Sequence, residues 1–364
     1  MKRRDFIAAG AVAGVAAAAS SLPKPAIAQE RRDVKLVTTW PKNFPGLGTG
    51  AQRFADRVTA MTEGRLTVQL FAAGELVPPF ESFDAVSAGN ADMYHGAAYY
   101  WQGKAPAFNF FAAVPFGLLA NEMNAWIYHL GGQELWDELA GQFNVKCMMC
   151  GNTGVQMGGW FNKEINSLDD LQGLTIRMPG LGGEVLRRIG ANAVALPGGE
   201  IYPALESGAI DATEWVGPWN DLAFGFYKVT QYYYYPGFHE PGTALDLGIN
   251  VDFWNSLSET DQAIVRAAAA AENVEMLAEF DARNADALKT LLDEHGVELK
   301  KFSNDVLNAI GEASGAVVKE VGEGGDELTK RIYDSFMAAR GTGIAWTKLS
   351  SSAFSDARLL PFPY

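Results

Sequence analysis

Few side chains in this sequence stand at the spacing that covalent or redox chemistry needs. Cys147 and Cys150 are its two cysteines and frame a C-x-x-C. A redox pair of that spacing works at a helix N-terminus, where the dipole lowers the thiol pKa. Here the pair closes the run Val145-Lys146-Cys147-Met148-Met149-Cys150, which reads as a buried strand. Residues i and i+3 of a strand point to opposite faces, so the two sulfurs are expected to face apart as buried free thiols. The four histidines, His95, His129, His239 and His295, fall in no zinc spacing. There is no G-x-S-x-G elbow, no S-x-x-K and no G-x-x-x-x-G-K-[ST] phosphate loop. Gly180-Leu181-Gly182-Gly183, between a strand and a helix, opens like a dinucleotide fingerprint but lacks its third glycine. It reads as a turn that lets the backbone approach a ligand or aims a helix N-terminus at an anion.

The chain that must position any site has 364 residues, 48% apolar and 20% charged, the ordinary globular range. Its formal net charge of −14 excludes nucleic acid as a partner, because phosphate binding needs a basic face. An anionic substrate is repelled at long range unless a local positive site overrides the global field. The first residues read as an address. Lys2, Arg3 and Arg4 precede a weakly apolar stretch over 6–19, and Ala26-Ile27-Ala28 is a small-x-small cleavage signal ahead of Gln29. Arg3-Arg4-Asp5-Phe6-Ile7 resembles a twin-arginine export signal. The apolar stretch is shorter than the roughly 20 residues that span a bilayer. The expected product is exported to a bacterial periplasm. Removal of 1–28 takes away four basic residues and one acidic residue and moves the charge from −14 to −17.

Strand and helix patterns alternate behind the address. Runs over 34–40, 66–71 and 91–95 read as strands, with helical periods over 51–62 and 80–88 between them. A helix over 126–143 leads to the strand over 145–150 and a sharp break at Gly151-Asn152-Thr153-Gly154. Strands over 174–178, 193–196 and 212–216 follow, with helices over 183–189 and 201–207 between them. Such alternation argues for an α/β fold with a largely parallel sheet. Residues 260–295 form one helical pattern, about 50 Å long at 1.5 Å per residue and so longer than a lobe of this size. It must kink, cross two lobes or project to a partner. Helical pattern also fills 305–339, interrupted by Gly322, Gly324 and Gly325. Two lobes, a crossing helix, an export signal and no hydrolytic motif point to a periplasmic binding protein that closes by a hinge. The expected layout is a signal peptide over 1–28 and a first lobe over 29–152, with part of 245–300 returning to it. A second lobe covers 153–244, and long helices over 258–364 cross both.

Ile176-Arg177-Met178-Pro179, followed by Pro197, Glu200, Tyr202, Ala204-Leu205, Gly208, Asp211 and Glu214, resembles the solute-binding subunits of tripartite ATP-independent periplasmic (TRAP) transporters. Leu70-Phe71-Ala72-Ala73-Gly74-Glu75-Leu76-Val77-Pro78 and the Trp254 segment extend the likeness over 33–340. Three further stretches are most similar to the branch that binds 2-oxo acids such as pyruvate, with a lactate-binding branch nearby. They are Tyr100-Trp101-Gln102-Gly103-Lys104, Gly151-Asn152-Thr153-Gly154-Val155-Gln156-Met157-Gly158-Gly159-Trp160 and Pro236-Gly237-Phe238-His239-Glu240-Pro241. The resemblance implies a two-lobed α/β fold with a ligand cleft between the lobes and a long C-terminal helix bracing both. It implies a receptor, not an enzyme, that delivers a small 2-oxo acid to membrane permease subunits. Lactate, a larger aromatic 2-oxo acid and a dicarboxylate are the alternative ligands. An exported metal-dependent lyase or hydrolase with Glu214 or Glu240 as base is the remote alternative.

The resemblance also implies a site. One arginine of the family pairs with the substrate carboxylate, and Arg177 matches it; a guanidinium fork grips a carboxylate through two bonds and stays charged. In the 2-oxo-acid branch a metal ion bridges protein and ligand. The matching positions are Gln156 through its side-chain oxygen, Trp215 through its carbonyl, and Glu214 and Glu240 through their carboxylates. Hard oxygen donors suit Na⁺ or Ca²⁺ rather than zinc, with Na⁺ taken first although the donors do not choose. Two carboxylates beside an anionic substrate repel it and Arg177 offsets one charge, so a cation chelated by the substrate resolves the conflict. Asn152 is expected to hydrogen-bond the substrate from the loop after the 145–150 strand. Tyr100 and Tyr99 are expected to contact it from the other lobe, and Trp219 and Phe224 to wall the pocket. The loop of Tyr99 and Tyr100 carries tyrosine where related sequences carry phenylalanine, which leaves ligand size and polarity open. The C-terminal helices are associated with swapped dimers in that branch, so a homodimer through them is a further expectation.

Overall fold

Strands buried on both faces need helices above and below, and that requirement builds two separate α/β layers here. The protein is described over residues 31–362 of a computed structural model. The expected signal peptide over 1–28 lies outside the described residues. The first sheet contains β1 (Arg32–Thr38), β2 (Leu66–Phe71), β3 (Met93–Gly96), β4 (Val145–Asn152) and β10 (Ala244–Asn250), in the order β2-β1-β3-β10-β4. The second contains β5 (Gly159–Phe161), β6 (Thr175–Arg177), β7 (Asn192–Val194), β8 (Ala212–Thr213), β9 (Tyr232–Tyr235) and β11 (Glu298–Lys301), in the order β11-β9-β5-β8-β6-β7. Both sheets are largely parallel, as the alternation of strands and helices predicts, with one antiparallel strand in each. These are β10, wedged between β3 and β4, and β5, wedged between β8 and β9.

The helices that matter to the site are α1 (Leu47–Met61), α2 (Gly180–Arg188), α3 (Pro218–Phe224) and α4 (Glu259–Asp293), followed by α5 (Asn304–Gly324) and α6 (Glu327–Thr347). Helix α4 begins at Ser258, whose side chain accepts from the Asp261 amide and so satisfies one of the first-turn donors. Its N-terminal half buries Val265, Ala268 and Ala269 against the first sheet's core. On that stretch Glu272, which has no exposed side-chain surface, takes Arg53 of α1 at 2.7 Å and Arg57 at 3.4 Å. Its C-terminal half reaches the second lobe, where Asn284 Oδ1 accepts the Trp219 amide at 3.1 Å and Phe280 meets the Trp219 ring. One continuous helix therefore braces both lobes, which is the fold expected from the resemblance.

Some details differ from the sequence patterns, among them the strand expected over 212–216, which ends at Thr213 so that Glu214 and Trp215 leave the sheet. The helix expected over 126–143 is two helices, Ala120–His129 and Gly132–Gly141. Gly131 between them has φ 86°, a left-handed conformation that glycine adopts without steric penalty. Strand β10 carries no alternation because all seven of its residues are buried. The C-x-x-C behaves as strand geometry requires. Cys147 and Cys150 are free and buried, and they join different apolar clusters on opposite faces of β4. Burial pushes both thiols well above their usual pKa, which removes thiolate reactivity. No helix of the described residues is long and apolar enough to cross a membrane.

Candidate functional site

Ligands of open α/β sheets bind beyond the carboxyl ends of the parallel strands, and those ends from both sheets meet here. Strand β3 leads into the Ala98–Trp101 turn that carries Tyr99 and Tyr100. Strand β6 ends on Arg177, and β8 leads directly into Glu214 and Trp215. The two remaining segments are the crossings between sheets, β4 to β5 with Gln156 and β9 to β10 with Glu240. These crossings are tied together, since the Gln156 amide donates to the Glu240 carbonyl at 3.1 Å and the Gly237 amide to the Gln156 carbonyl at 2.9 Å.

Arg177 is 1% exposed. Its Nε donates to the Leu196 carbonyl at 3.1 Å and its Nη1 to the Glu214 carbonyl at 3.3 Å. Nη1 also pairs with the Glu214 carboxylate, and Nη2 reaches the Tyr100 hydroxyl at 3.4 Å. The Trp215 ring supports the guanidinium, whose central carbon lies 5.1 Å from the ring centroid. Glu214 is wholly buried, and its second oxygen lies 3.2 Å from His239 Nε2. Glu240 Oε2 accepts from Gln156 Nε2 at 2.7 Å and from Thr243 Oγ1 at 2.6 Å. Burial, with the charge of Glu214 second, raises the Glu240 pKa to about 7. Burial likewise pushes Tyr100 up to about 12, so it remains a hydroxyl.

A narrow cleft lies beside these groups. Trp40, Leu47, Val216 and Leu245 supply its apolar wall, and Tyr99, Tyr100, Thr153, Gln156, Trp215 and Thr243 the remainder. Trp40 is held there by His95, whose Nδ1 accepts from Trp40 Nε1 at 2.8 Å while Nε2 meets the Cys150 carbonyl at 3.0 Å. Burial lowers the His95 pKa to about 4, so this link stays neutral.

Gln156 Oε1 is buried and has no hydrogen-bond partner. It belongs to the same amide whose nitrogen bonds Glu240. An unpaired buried oxygen beside two buried carboxylates is a donor set that fits a hard cation. Among the described residues, Glu214, His239 and Glu240 form the one three-membered group whose ligand atoms lie within 4.8 Å of one another. Gln156 and Trp215 adjoin that group through the Glu240 bond and the peptide link to Glu214.

The structure thus brings Gln156, Trp215, Tyr99 and Tyr100 to the lining of one cleft, with Arg177, Glu214 and Glu240 bonded directly behind them. Asn152 and Trp219 do not line it. The Asn152 amide is engaged within the protein, donating to the Gly242 carbonyl at 3.1 Å and accepting from the Gly154 amide at 2.8 Å, which staples the break after β4. Trp219 packs on Phe280 behind the cleft, and Phe224 packs at a tilt against Phe44 and edge-on against Trp215. The Gly180–Gly183 turn meets protein, not a nucleotide. A Cβ on Gly180 (φ 63°) would come within 3.2 Å of Tyr99, and one on Gly182 within 2.7 Å of His239. Sequence reasoning passed over Trp40 and His239. Trp40 stands just past the end of β1, a strand-end position that marks it, whereas His239 has no spacing signal of its own.

Comparison with known proteins adds to this geometry. The model of the family described as bacterial extracellular solute-binding protein, family 7, matches residues 36–324. A monocarboxylate 2-oxoacid-binding periplasmic protein of Nostoc sp. is 41% identical over 361 residues, 98% of each chain. A TRAP periplasmic solute-binding protein from Pseudoalteromonas atlantica, solved with bound sodium and pyruvate, matches with a TM-score of 0.87 at 39% identity. The match covers 90% of this chain and 99% of that one. Another from Colwellia psychrerythraea, solved with bound calcium and pyruvate, also gives 0.87 at 40% identity, over 90% of this chain and 100% of that one.

Proposed function

Since the chain belongs to the bacterial extracellular solute-binding protein family 7, we propose that it is the TRAP receptor that captures a small pyruvate-like 2-oxo acid together with Na⁺ or Ca²⁺ and hands it to the permease. One observation carries the reading. A single buried guanidinium stands beside two buried carboxylates, behind a narrow cleft lined by Gln156 with its unpaired amide oxygen. In this reading Arg177 grips the ligand carboxylate, while Gln156, Glu214, Glu240 and the Trp215 carbonyl hold the cation. The cation supplies the charge that lets an anion rest next to two carboxylates. Tyr99 and Tyr100 contact the acid from the first lobe, and the apolar wall receives its substituent. Pyruvate and sodium or calcium in the two solved relatives support the ligand class and leave the ion open.

The proposed layout keeps a first lobe over 29–152 with part of 245–300 returning to it, a second lobe over 153–244 whose sheet β11 joins, and long helices over 258–364 crossing both. Export to the periplasm follows from the periplasmic relative, with the twin-arginine-like signal as the proposed route. A homodimer through the C-terminal helices is favoured by the apolar surface at the end of α6 and beyond it, where Trp346, Leu349, Phe354 and Leu359 are 66–81% exposed. Sedimentation of the full chain and of a chain ended after Thr347 decides this, with a monomer expected only for the shorter one.

A thermal-shift screen tests the binding reading. Small carboxylates are added with EDTA, Na⁺ or Ca²⁺, and a ligand of the folded state raises the melting temperature by mass action. Cation-dependent shifts with pyruvate-like acids are expected. Shifts with dicarboxylates alone, or with no acid at all, would refute the assignment.

A further inference from the structure

His239 has none of the roles described so far, yet it lies within reach of both site carboxylates. We propose that His239 is a positioning residue whose Nε2–H holds the Glu214 carboxylate, leaving the cation site an all-oxygen site. The proposal rests on the cation-bridged reading above.

Two roles compete for the ring. Nε2 lies 3.2 Å from Glu214 Oε2. That separation suits a hydrogen bond, and it equally suits two ligands of one ion. Glu240 offers an oxygen in the same group. The other ring nitrogen separates the roles. A histidine that ligates a metal through Nε2 carries its proton on Nδ1, and that N–H almost always donates to a carboxylate, carbonyl or water. Here Nδ1 is buried and has no protein partner, in a ring only 1% exposed. The ligating tautomer would therefore aim its N–H at no protein acceptor. The other tautomer directs the proton onto a carboxylate oxygen and leaves only a bare acceptor unpaired, the more tolerable of the two defects. His95 shows the contrast, because both of its nitrogens have partners.

The fold holds the ring in this place from three sides. The start of α2 presses against it, and a Cβ on Gly182 would lie 2.7 Å from the His239 Cβ. The Phe116 amide donates to the Phe238 carbonyl at 2.8 Å, and the Gln156 amide to the Glu240 carbonyl at 3.1 Å. The residues on both sides of His239 are thus pinned. Glu214 is then gripped at both oxygens, one by Arg177 and one by His239. When Arg177 turns to a ligand carboxylate, the histidine bond keeps Glu214 aimed at the cation.

Nitrogen-15 spectra of the histidine rings, assigned with H239Q, read the tautomer directly in the chelator-treated protein. A protonated Nε2 and an unprotonated Nδ1 are expected, unchanged when Ca²⁺ and pyruvate are added. A protonated Nδ1, or loss of the Nε2 proton on addition of Ca²⁺ or Zn²⁺, would overturn the proposal. Cation titrations of His239→Gln and His239→Leu at saturating pyruvate provide the second readout. The glutamine keeps an N–H donor and is expected to stay within about threefold of wild type, whereas leucine is expected to weaken cation binding about 10- to 100-fold. Equal losses in both variants would contradict positioning through a hydrogen bond. If wild type binds pyruvate with no cation, the cation-bridged reading fails while the tautomer spectrum still decides the role of His239.

Discussion

Replacing Arg177 by lysine keeps the charge of the site and removes its fork. The guanidinium donates from Nε to Leu196, from Nη1 to Glu214 and from Nη2 toward Tyr100, three directions fixed by one rigid plane. A lysine ammonium is a point charge on a flexible stem and can serve one of these directions at a time. In the proposed complex the fork presents two parallel N–H groups to the acid, so lysine forfeits at least one charge-assisted bond. Such a bond corresponds to about 1.5–3 kcal/mol, or about 10- to 150-fold in Kd. Glu214 retains a cationic partner, so the fold should survive. Arg177→Met is the complementary change. It leaves a wholly buried carboxylate without its cation, which destabilises by about 3–5 kcal/mol. Calorimetric titration of pyruvate with Ca²⁺ present measures the first effect and denaturant unfolding the second. Pyruvate affinity of R177K within threefold of wild type, or wild-type stability of R177M, would refute the assignment of Arg177.

Glu240→Gln is expected to weaken Ca²⁺ binding more than Na⁺ binding, since a doubly charged ion loses twice the attraction, and ion titrations at fixed pyruvate compare them. The same variant should melt above wild type at pH 8 without cation, because burial and Glu214 already disfavour the Glu240 charge. Asp221 and Asp246 are buried carboxyls raised from 3.8 to about 7, in both cases by burial first. The folded state binds these protons more tightly than the unfolded chain, so their contribution is largest below pH 4 and is lost as pH rises through 7. Melting temperature should therefore rise between pH 8 and pH 5, and Asp246→Asn should flatten that rise. Gly248→Ala places a Cβ 1.9 Å from the Tyr94 ring. A loss of about 1–3 kcal/mol in denaturant unfolding is expected.

The parts legible in the sequence are those set by local pattern. β-branched runs mark β1 and β2, and Ser258 with its long apolar period marks α4, because capping and amphipathicity act within a few residues. Strand β10 was hidden because it is covered on both faces and carries Asp246 and Gly248, each matched to Tyr94 across the sheet. Strand β11 was hidden because Glu298-Leu299-Lys300-Lys301 is a polar edge whose pairing with β9 comes from tertiary packing. The proposed site residues were reachable through family resemblance because each is a donor type at a strand end or crossing. Asn152 shows the limit of that approach. Its residue type suits a ligand contact, but its amide closes the turn at Gly154 and ties down Gly242. His239 shows the opposite limit, since its partner Glu214 is 25 residues away and the two meet only when the β9–β10 crossing folds over α2.

The most direct measurement is a calorimetric titration of pyruvate into the chelator-treated protein, repeated with Na⁺ and with Ca²⁺. Saturable one-site binding that appears only when one of these ions is present is the predicted result. Binding of equal strength in EDTA, or no binding of any 2-oxo acid under all three conditions, would contradict a receptor that grips its ligand through Arg177 and a bridging cation.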